Sequence, residues 1–350
     1  MPDVTLTTEQ VADLVTTTLG SYDPPKWQDL TTDLQAFYAL PQVLKEEKVQ
    51  LEGGVKVVRF LQTDHLDSAR AVGLNDIDRV NDRDMMEKIE EGWRHCTANM
   101  SLERRIVNMN RGEAQLVKLV KTKEHGMMVA LAEAMEQWMW TLLSADDGIT
   151  PIGIPYWINK YPSGNTALGF TGTLPWTGVY PGGLNHARFR NIAGKYTDFS
   201  KTDLLPLMRK GYRIGRFMPP VKHSANYDRG SERYGFYTTI EAIMMLEMLG
   251  ESQNDNLGKD LASMDGQILF RRCPIHWVPQ LEADTHNPIY GIDWAQLYPV
   301  FLEGEYMNRS PAQVCSEQHT RVRVHIDCTY TFMAHDLRRL MVLSQDTDKS

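Results

Sequence analysis

Ten histidines and four cysteines are the side chains with which this chain would do nucleophilic or metal chemistry, and their spacing is unsuited to either. No HExxH, CxxC or paired-histidine motif appears, so neither a zinc site nor a redox dithiol is written into the sequence. His95 and Cys96 are adjacent, and adjacent residues on a strand point to opposite faces. His325, Asp327 and Cys328 share a strand, but the cysteine falls on the apolar side and reads as a small core residue. The acidic pairs Asp76/Asp78 and Asp82/Asp84 lack the glycine and remaining ligands of a calcium loop, and solvation of an exposed segment explains them. No GxSxG elbow is present, and the glycines of 149–196 are not followed by the GKS or GKT of a phosphate loop. Catalytic, cofactor and metal residues are therefore all assigned as none.

Composition narrows the classes further. A chain of 350 residues with 42% hydrophobic and 23% charged content can bury two cores. Its formal charge of −8 disfavours a general nucleic-acid binder. Cys96, Cys273, Cys315 and Cys328 read as free thiols of a reducing compartment, because no export signal accompanies them; the sequons at Asn99 and Asn308 then carry no meaning.

With no reacting group to position, the elements themselves become the subject. Arg111–Ser144 reads as one long helix, capped by Asn110 with Glu113 three residues on. Leu116, Val120, Met127, Leu131, Met135, Trp138 and Leu142 share one broad face, and Lys118, Lys121 and Glu136 are expected to face away from the core. At ~1.5 Å per residue the helix would run roughly 50 Å, too charged to cross a membrane and too irregular for a coiled coil. Arg321–Phe332 alternates strictly: Val322, Val324, Ile326, Cys328, Tyr330 and Phe332 against Arg323, His325, Asp327, Thr329 and Thr331. It predicts a half-buried strand of unusual length, packed on the helix, with 340–343 as a short return strand.

Residues 1–45 carry two short amphipathic pieces, which pack either on this chain's core or on a neighbouring subunit. Residues 46–62 read as strand, Gly53-Gly54 turn and strand. The polar stretch 63–92 has one helix candidate, near 84–91, and 97–108 looks extended again. A strand leaving, a polar excursion and a strand returning describe a projecting hairpin arm. Residues 149–196 read as a loop region. From about Asp198 a helix toward Phe217, the strand Tyr234–Thr238, the helix Thr239–Leu249 and strand regions in 267–279 and 288–303 form an α/β unit.

Several blocks resemble those of phage major capsid proteins: GWRHCTANMSLERRIVNMNRG (92–112), PIGIPYWI (151–158), SQNDNLGKDLASMDGQ (252–267), FRRCPIHWVP (270–279), NPIYGIDWAQLYPVFLEGEYM (287–307) and QHTRVRVHIDCTYTF (318–332). The resemblance covers roughly residues 50–345, and the chain order is similar to the Hong Kong 97-like capsid fold of tailed bacteriophages. It implies an α+β fold divided into an N-terminal arm (1–45), an extended loop (46–108), a peripheral domain (109–197) with a spine helix at 111–144, an inserted axial α/β domain (198–310) and C-terminal peripheral strands (311–350). It implies a non-enzymatic shell protein of the virion, assembled in the host cytoplasm as hexamers and pentamers of an icosahedral head. Its partners would be other copies of itself, a portal, scaffolding or decoration proteins, and packaged double-stranded DNA held without sequence-specific binding; no membrane is involved. A minor capsid or tail protein, or a soluble enzyme with an unrecognised site, are the rival readings. Trp27, Phe37, Tyr38, Arg59, Asp64, Asp76, Arg104 and Arg105 are assigned to contacts between subunits.

Overall fold

The computed structural model describes residues 7–10, 12, 37–45, 49–64, 71, 74, 84–109, 113–143, 147–160, 168–172, 181–216, 234–251, 261–264 and 267–346. In chain order the first half contains α1 (Ala39–Val43), β1 (Gln50–Glu52), β2 (Lys56–Gln62), β3 (Met86–Gly92), β4 (Arg94–Glu103), α2 (Arg104–Met109) and α3 (Glu113–Trp140). Then come α4 (Ile154–Trp157), β5 (Gly169–Gly172), β6 (Asn191–Tyr196), α5 (Leu204–Gly215), β7 (Tyr234–Thr238) and α6 (Ile240–Glu251). The remainder carries the strands β8 (Leu261–Met264), β9 (Gln267–Phe270), β10 (Cys273–Trp277), β11 (Ile289–Asp293), β12 (Leu297–Leu302), β13 (Asn308–Arg309), β14 (Gln313–Val314), β15 (Arg321–Ala334) and β16 (Met341–Gln345), with short 3-10 turns at Pro279–Ala283 and Leu337–Arg339.

Among the described residues the strands form three sheets. A six-stranded sheet is built on β15, which pairs with β4 along ten register positions and with β12, β13 and β14; β1 adds to β12 in parallel. An eight-stranded sheet runs β5-β6-β16-β11-β7-β10-β9-β8. A two-stranded ribbon joins β2 to β3. The eight-stranded sheet is covered on both faces. Ala193, Tyr237, Tyr290 and Val342 join the core shared with α1, α3 and β15, while Ile192, Phe236, Ile289 and Met341 meet α5 and α6 on the other side. Two-sided burial of this kind removes the alternation by which a strand is read from sequence.

The long helix is present, over 28 residues. Val120, Met127, Leu131 and Met135 are buried, Trp138 is half-buried, and Leu142 lies beyond the helix end with its side chain exposed. The side chains of Leu116 and Lys118 lie outside the described residues, and Lys121 is exposed as expected. Helix α3 packs directly on β4 rather than on β15, its neighbour in the same sheet, and the Lys123 Nζ donates a 2.7 Å bond to the Ser101 carbonyl. Both strands still send side chains into the core that α3 covers.

Several expectations are corrected. Glu136 is fully buried instead of solvated. Residues 84–91 hold no helix: MEKIEEG forms β3 because β2 offers it a ladder, which outweighs the helix preference of Glu and Lys. The Gly53-Gly54 turn does not close a hairpin, since β1 pairs with β12 and β2 with β3. The extended run of 97–108 stops at Glu103, where α2 begins. The 149–196 loop contains α4, β5 and β6, the last a buried strand beside β16. Thr329 and Thr331 are buried, because the second half of β15 is covered on both faces. The return strand β16 leaves β15's sheet and pairs with β6 and β11. The eight-stranded sheet accordingly draws β5, β6 and β16 from outside 198–310, while β12 and β13 belong to the other sheet.

Candidate assembly surfaces

The hairpin β2–β3 is the element least able to stand alone, because a two-stranded ribbon in water is marginal unless one face is packed. Its inner face is packed. Val57 and Ile89 are buried, and Glu91 beside them accepts the Tyr156 hydroxyl at 2.5 Å and the Gly182 N–H at 2.7 Å on one oxygen. Burial pushes the Glu91 carboxyl above its ordinary range, against those two bonds. Gly182 has φ +63°, and a Cβ there would stand 2.7 Å from the Ile89 Cβ, so close approach and backbone conformation both call for glycine.

Arg59 holds the hairpin's root. Its guanidinium pairs with the Glu52 carboxylate of β1, donates to Gln50 Oε1 at 3.1 Å and to the Tyr298 hydroxyl of β12 at 3.1 Å. Tyr298 in turn stacks on His335 with ring centroids 4.1 Å apart. The bond to Glu52 raises the Arg59 pKa further, keeping it charged throughout any working range. At the far end Asp64 pairs with Arg188 at 3.1 Å.

The outer face is bare. Val58, Phe60 and Met86 are exposed on it, Phe60 at 68%, and Val55 at the adjoining turn is exposed at 90%. Across the ladder Phe60 faces Lys88 and Val58 faces Glu90, while Lys56 and Lys88 both pair with Glu90. A cluster of large apolar side chains within a rim of charges is the composition of a protein contact, not of a solvated surface.

The described part of the N-terminal arm sits on this chain's own body. Ala39, Leu40 and Val43 of α1 are buried, and the Glu136 carboxylate of α3 receives the N–H groups of Tyr38 (3.2 Å), Ala39 (3.0 Å) and Leu40 (2.7 Å). The Trp140 indole N–H adds a fourth bond at 2.8 Å. An acid at the N-terminus of a helix satisfies amides that have no intrahelical acceptor, and this one comes from a distant segment. Burial is the leading influence on Glu136 and raises its pKa; the four donors oppose it.

The residues assigned to subunit contacts are thus dispersed. Arg59 and Asp64 lie on the hairpin and are engaged within the chain. Phe37 and Tyr38 are half-buried, Tyr38 stacked on His276 at 4.7 Å. Arg104 and Arg105 open α2, where the Arg104 N–H bonds Thr320 and the Arg105 side chain is exposed. Trp27 and Asp76 lie outside the described residues. The apolar members Val58, Phe60 and Met86 were not singled out from sequence, though period-two reading of VKVVRFL places Val58 and Phe60 on one face.

No protein-family model matches the chain, and no curated protein matches it at a significant level. Solved structures do. The chain is similar to the Cyanophage A-1(L) capsid subunit at 12% identity and a TM-score of 0.57, covering 89% of this chain and 92% of that one. It is similar to the capsid of an empty GTA particle at 10% identity and a TM-score of 0.54, covering 89% and 97%, and to the native GTA capsid at 10% and 0.51, covering 94% and 96%. The chain has the mixed α and β fold of tailed-phage major capsid proteins, the Hong Kong 97-like fold, along nearly its whole length.

Proposed function

We propose that this chain is the structural subunit of a capsid-type shell: a major capsid protein that assembles with copies of itself into the icosahedral head of a tailed phage and encloses double-stranded DNA. The observation that carries the reading is the hairpin, bound to the body through one face and presenting Val58, Phe60 and Met86 on the other, within a fold that capsid subunits match over 89% of the chain. In this reading the β2–β3 ribbon within 46–108 is the extended loop that reaches a neighbour, while β1 and β4 belong to the β15 sheet. The eight-stranded sheet with α5 and α6 is the axial unit, around 198–310 with β5, β6 and β16 added, and α3 with the β15 sheet is the peripheral unit. The negative chain suits a wall that holds DNA without gripping its phosphates. Assembly takes place in the host cytoplasm, with a portal and scaffolding or decoration proteins as further partners.

Purified chain, alone and co-expressed with the genes adjacent to its own, is to be examined by electron microscopy and mass photometry. Shells or capsomer-sized rings are expected. A stable monomer or small dimer under every assembly condition, scaffold included, refutes the reading. Amide exchange in 55–62 and 86–92 should slow on assembly, since paired or covered edge strands exchange less.

A further inference from the structure

Two helices lie on one face of the eight-stranded sheet, over its opposite halves. α5 packs on β6 and β16 through Leu204, Leu205, Met208 and Tyr212, and α6 packs on β8 and β10, with Ala242 and Leu246 buried. Their outward faces differ in kind. α5 exposes Lys210 and Arg213, three residues apart, and Arg216 at its C-terminal cap is exposed with its guanidinium over the Tyr212 ring, 4.5 Å from the centroid. α6 exposes Ile240, Met244 and Met248 at spacings of four, with Met245 beside them; Met244 is 57% and Met248 64% exposed. Glu241 and Glu247 flank this stripe. Trp277 of β10 extends it, because its indole N–H and the Ile240 N–H both bond Glu282 Oε1 at 2.7 Å.

We propose that the acid-rimmed methionine face of α6 docks on the basic outer face of α5 in a second copy of this chain, head to tail. Three features select that occupant. The acids Glu241, Glu247 and Glu282 are opposite in sign to the bases Lys210, Arg213 and Arg216. The alkyl stems of Lys and Arg lie well over adaptable methionine surface while their charges reach the rim. A symmetric α6-to-α6 contact would set the three acids against themselves. Because the two faces occupy opposite halves of one sheet, each copy offers both, and a heterologous contact of this type generates a ring when its rotation closes. The inference rests on the shell reading and specifies one of its contacts.

Charge exchange tests it. Arg213→Glu and Glu247→Lys alter exposed side chains on opposite partners. Each alone should lower the yield of rings or particles about tenfold at moderate salt, and the double variant R213E/E247K should recover most of it. Thermal unfolding of the unassembled variants should match that of the parent chain. Peroxide oxidation of Met244 and Met248, mapped by mass spectrometry, should be slower in assembled particles than in free subunits. Wild-type yields from both single variants, a double variant no better than the singles, or equal oxidation in both states overturns the contact while leaving the shell reading intact. A parent chain that never assembles removes both.

Discussion

Replacing Glu136 by alanine strands four donors in a site that is 0% exposed: the N–H groups of Tyr38, Ala39 and Leu40 and the Trp140 indole N–H. A buried donor without an acceptor costs about 1–3 kcal/mol. Water entering the vacated volume recovers part of this, and the burial penalty of the carboxylate disappears with it, so the net loss is set at roughly 2–4 kcal/mol. Glutamine keeps one acceptor oxygen for Tyr38, Ala39 and Trp140 but turns an amide toward the Leu40 N–H, for a loss of about 1–2 kcal/mol. Urea unfolding of unassembled protein, followed by tryptophan fluorescence, measures both. The pH dependence supplies the sign. Burial holds the folded Glu136 pKa above the ordinary carboxylate range. As pH rises through the ordinary carboxylate range the unfolded chain therefore ionises first and gains stability relative to the folded one. The contribution of Glu136 is then fully present below that range and declines up to the raised folded value. Wild-type protein should lose stability relative to Glu136→Gln across that window. An alanine variant within about 0.5 kcal/mol of wild type would show that the carboxylate does not hold the arm. A wild type that gains on the glutamine variant as pH rises would show that the four hydrogen bonds outweigh burial.

Phe60→Glu alters an exposed ribbon residue, so urea stability of the monomer should move by no more than about 0.5 kcal/mol while particle yield by light scattering collapses. Gly182→Ala combines a left-handed backbone with a Cβ contact of 2.7 Å on Ile89; a loss of roughly 2–4 kcal/mol is expected, read as faster proteolysis within the hairpin and lower urea stability. Arg59→Ala leaves Glu52, Gln50 and Tyr298 without their shared cation. A cost of about 1–2 kcal/mol should appear in urea unfolding, and a cycle with Tyr298→Phe should show that the two losses do not add.

The elements carried by a local period were legible. Helix α3 announces itself through apolar spacing, and the first half of β15 through alternation, because each has one buried and one solvated side there. Elements defined by a distant partner were not. β3 is rich in helix formers and becomes a strand only opposite β2; β6 and the end of β15 are covered on both faces, which erases the alternation. Glu136 follows the same logic. Its neighbours on the helix identify it as a polar position, and nothing within a few residues announces that α1, nearly a hundred residues earlier, brings three amides to it. The candidate assembly surfaces were less legible: the returning strand of the hairpin was expected in 97–108, but β4 pairs with β15 and the partner of β2 is β3, while charged residues drew notice ahead of Phe60 and Val58, which the fold leaves bare.

That division between satisfied and bare surface bears on how folding and assembly are separated. The body closes its own accounts: two cores fill both sides of the eight-stranded sheet, and the arm segment is capped by Glu136. Among the described residues, large apolar side chains are left outside in two groups, on the β2–β3 ribbon and on α6, with others scattered over the rest of the surface. Substitutions there should change assembly with little effect on monomer stability, whereas those at Glu136 or Gly182 should act on the monomer first and reach assembly only through it. A shell subunit needs that separation, since it must fold before its neighbours are present and then add contacts without refolding its core. If substitutions at Phe60, Met244 and Met248 lowered monomer stability as much as those at Glu136, these faces would be parts of the subunit's own core and the case for assembly through them would fail.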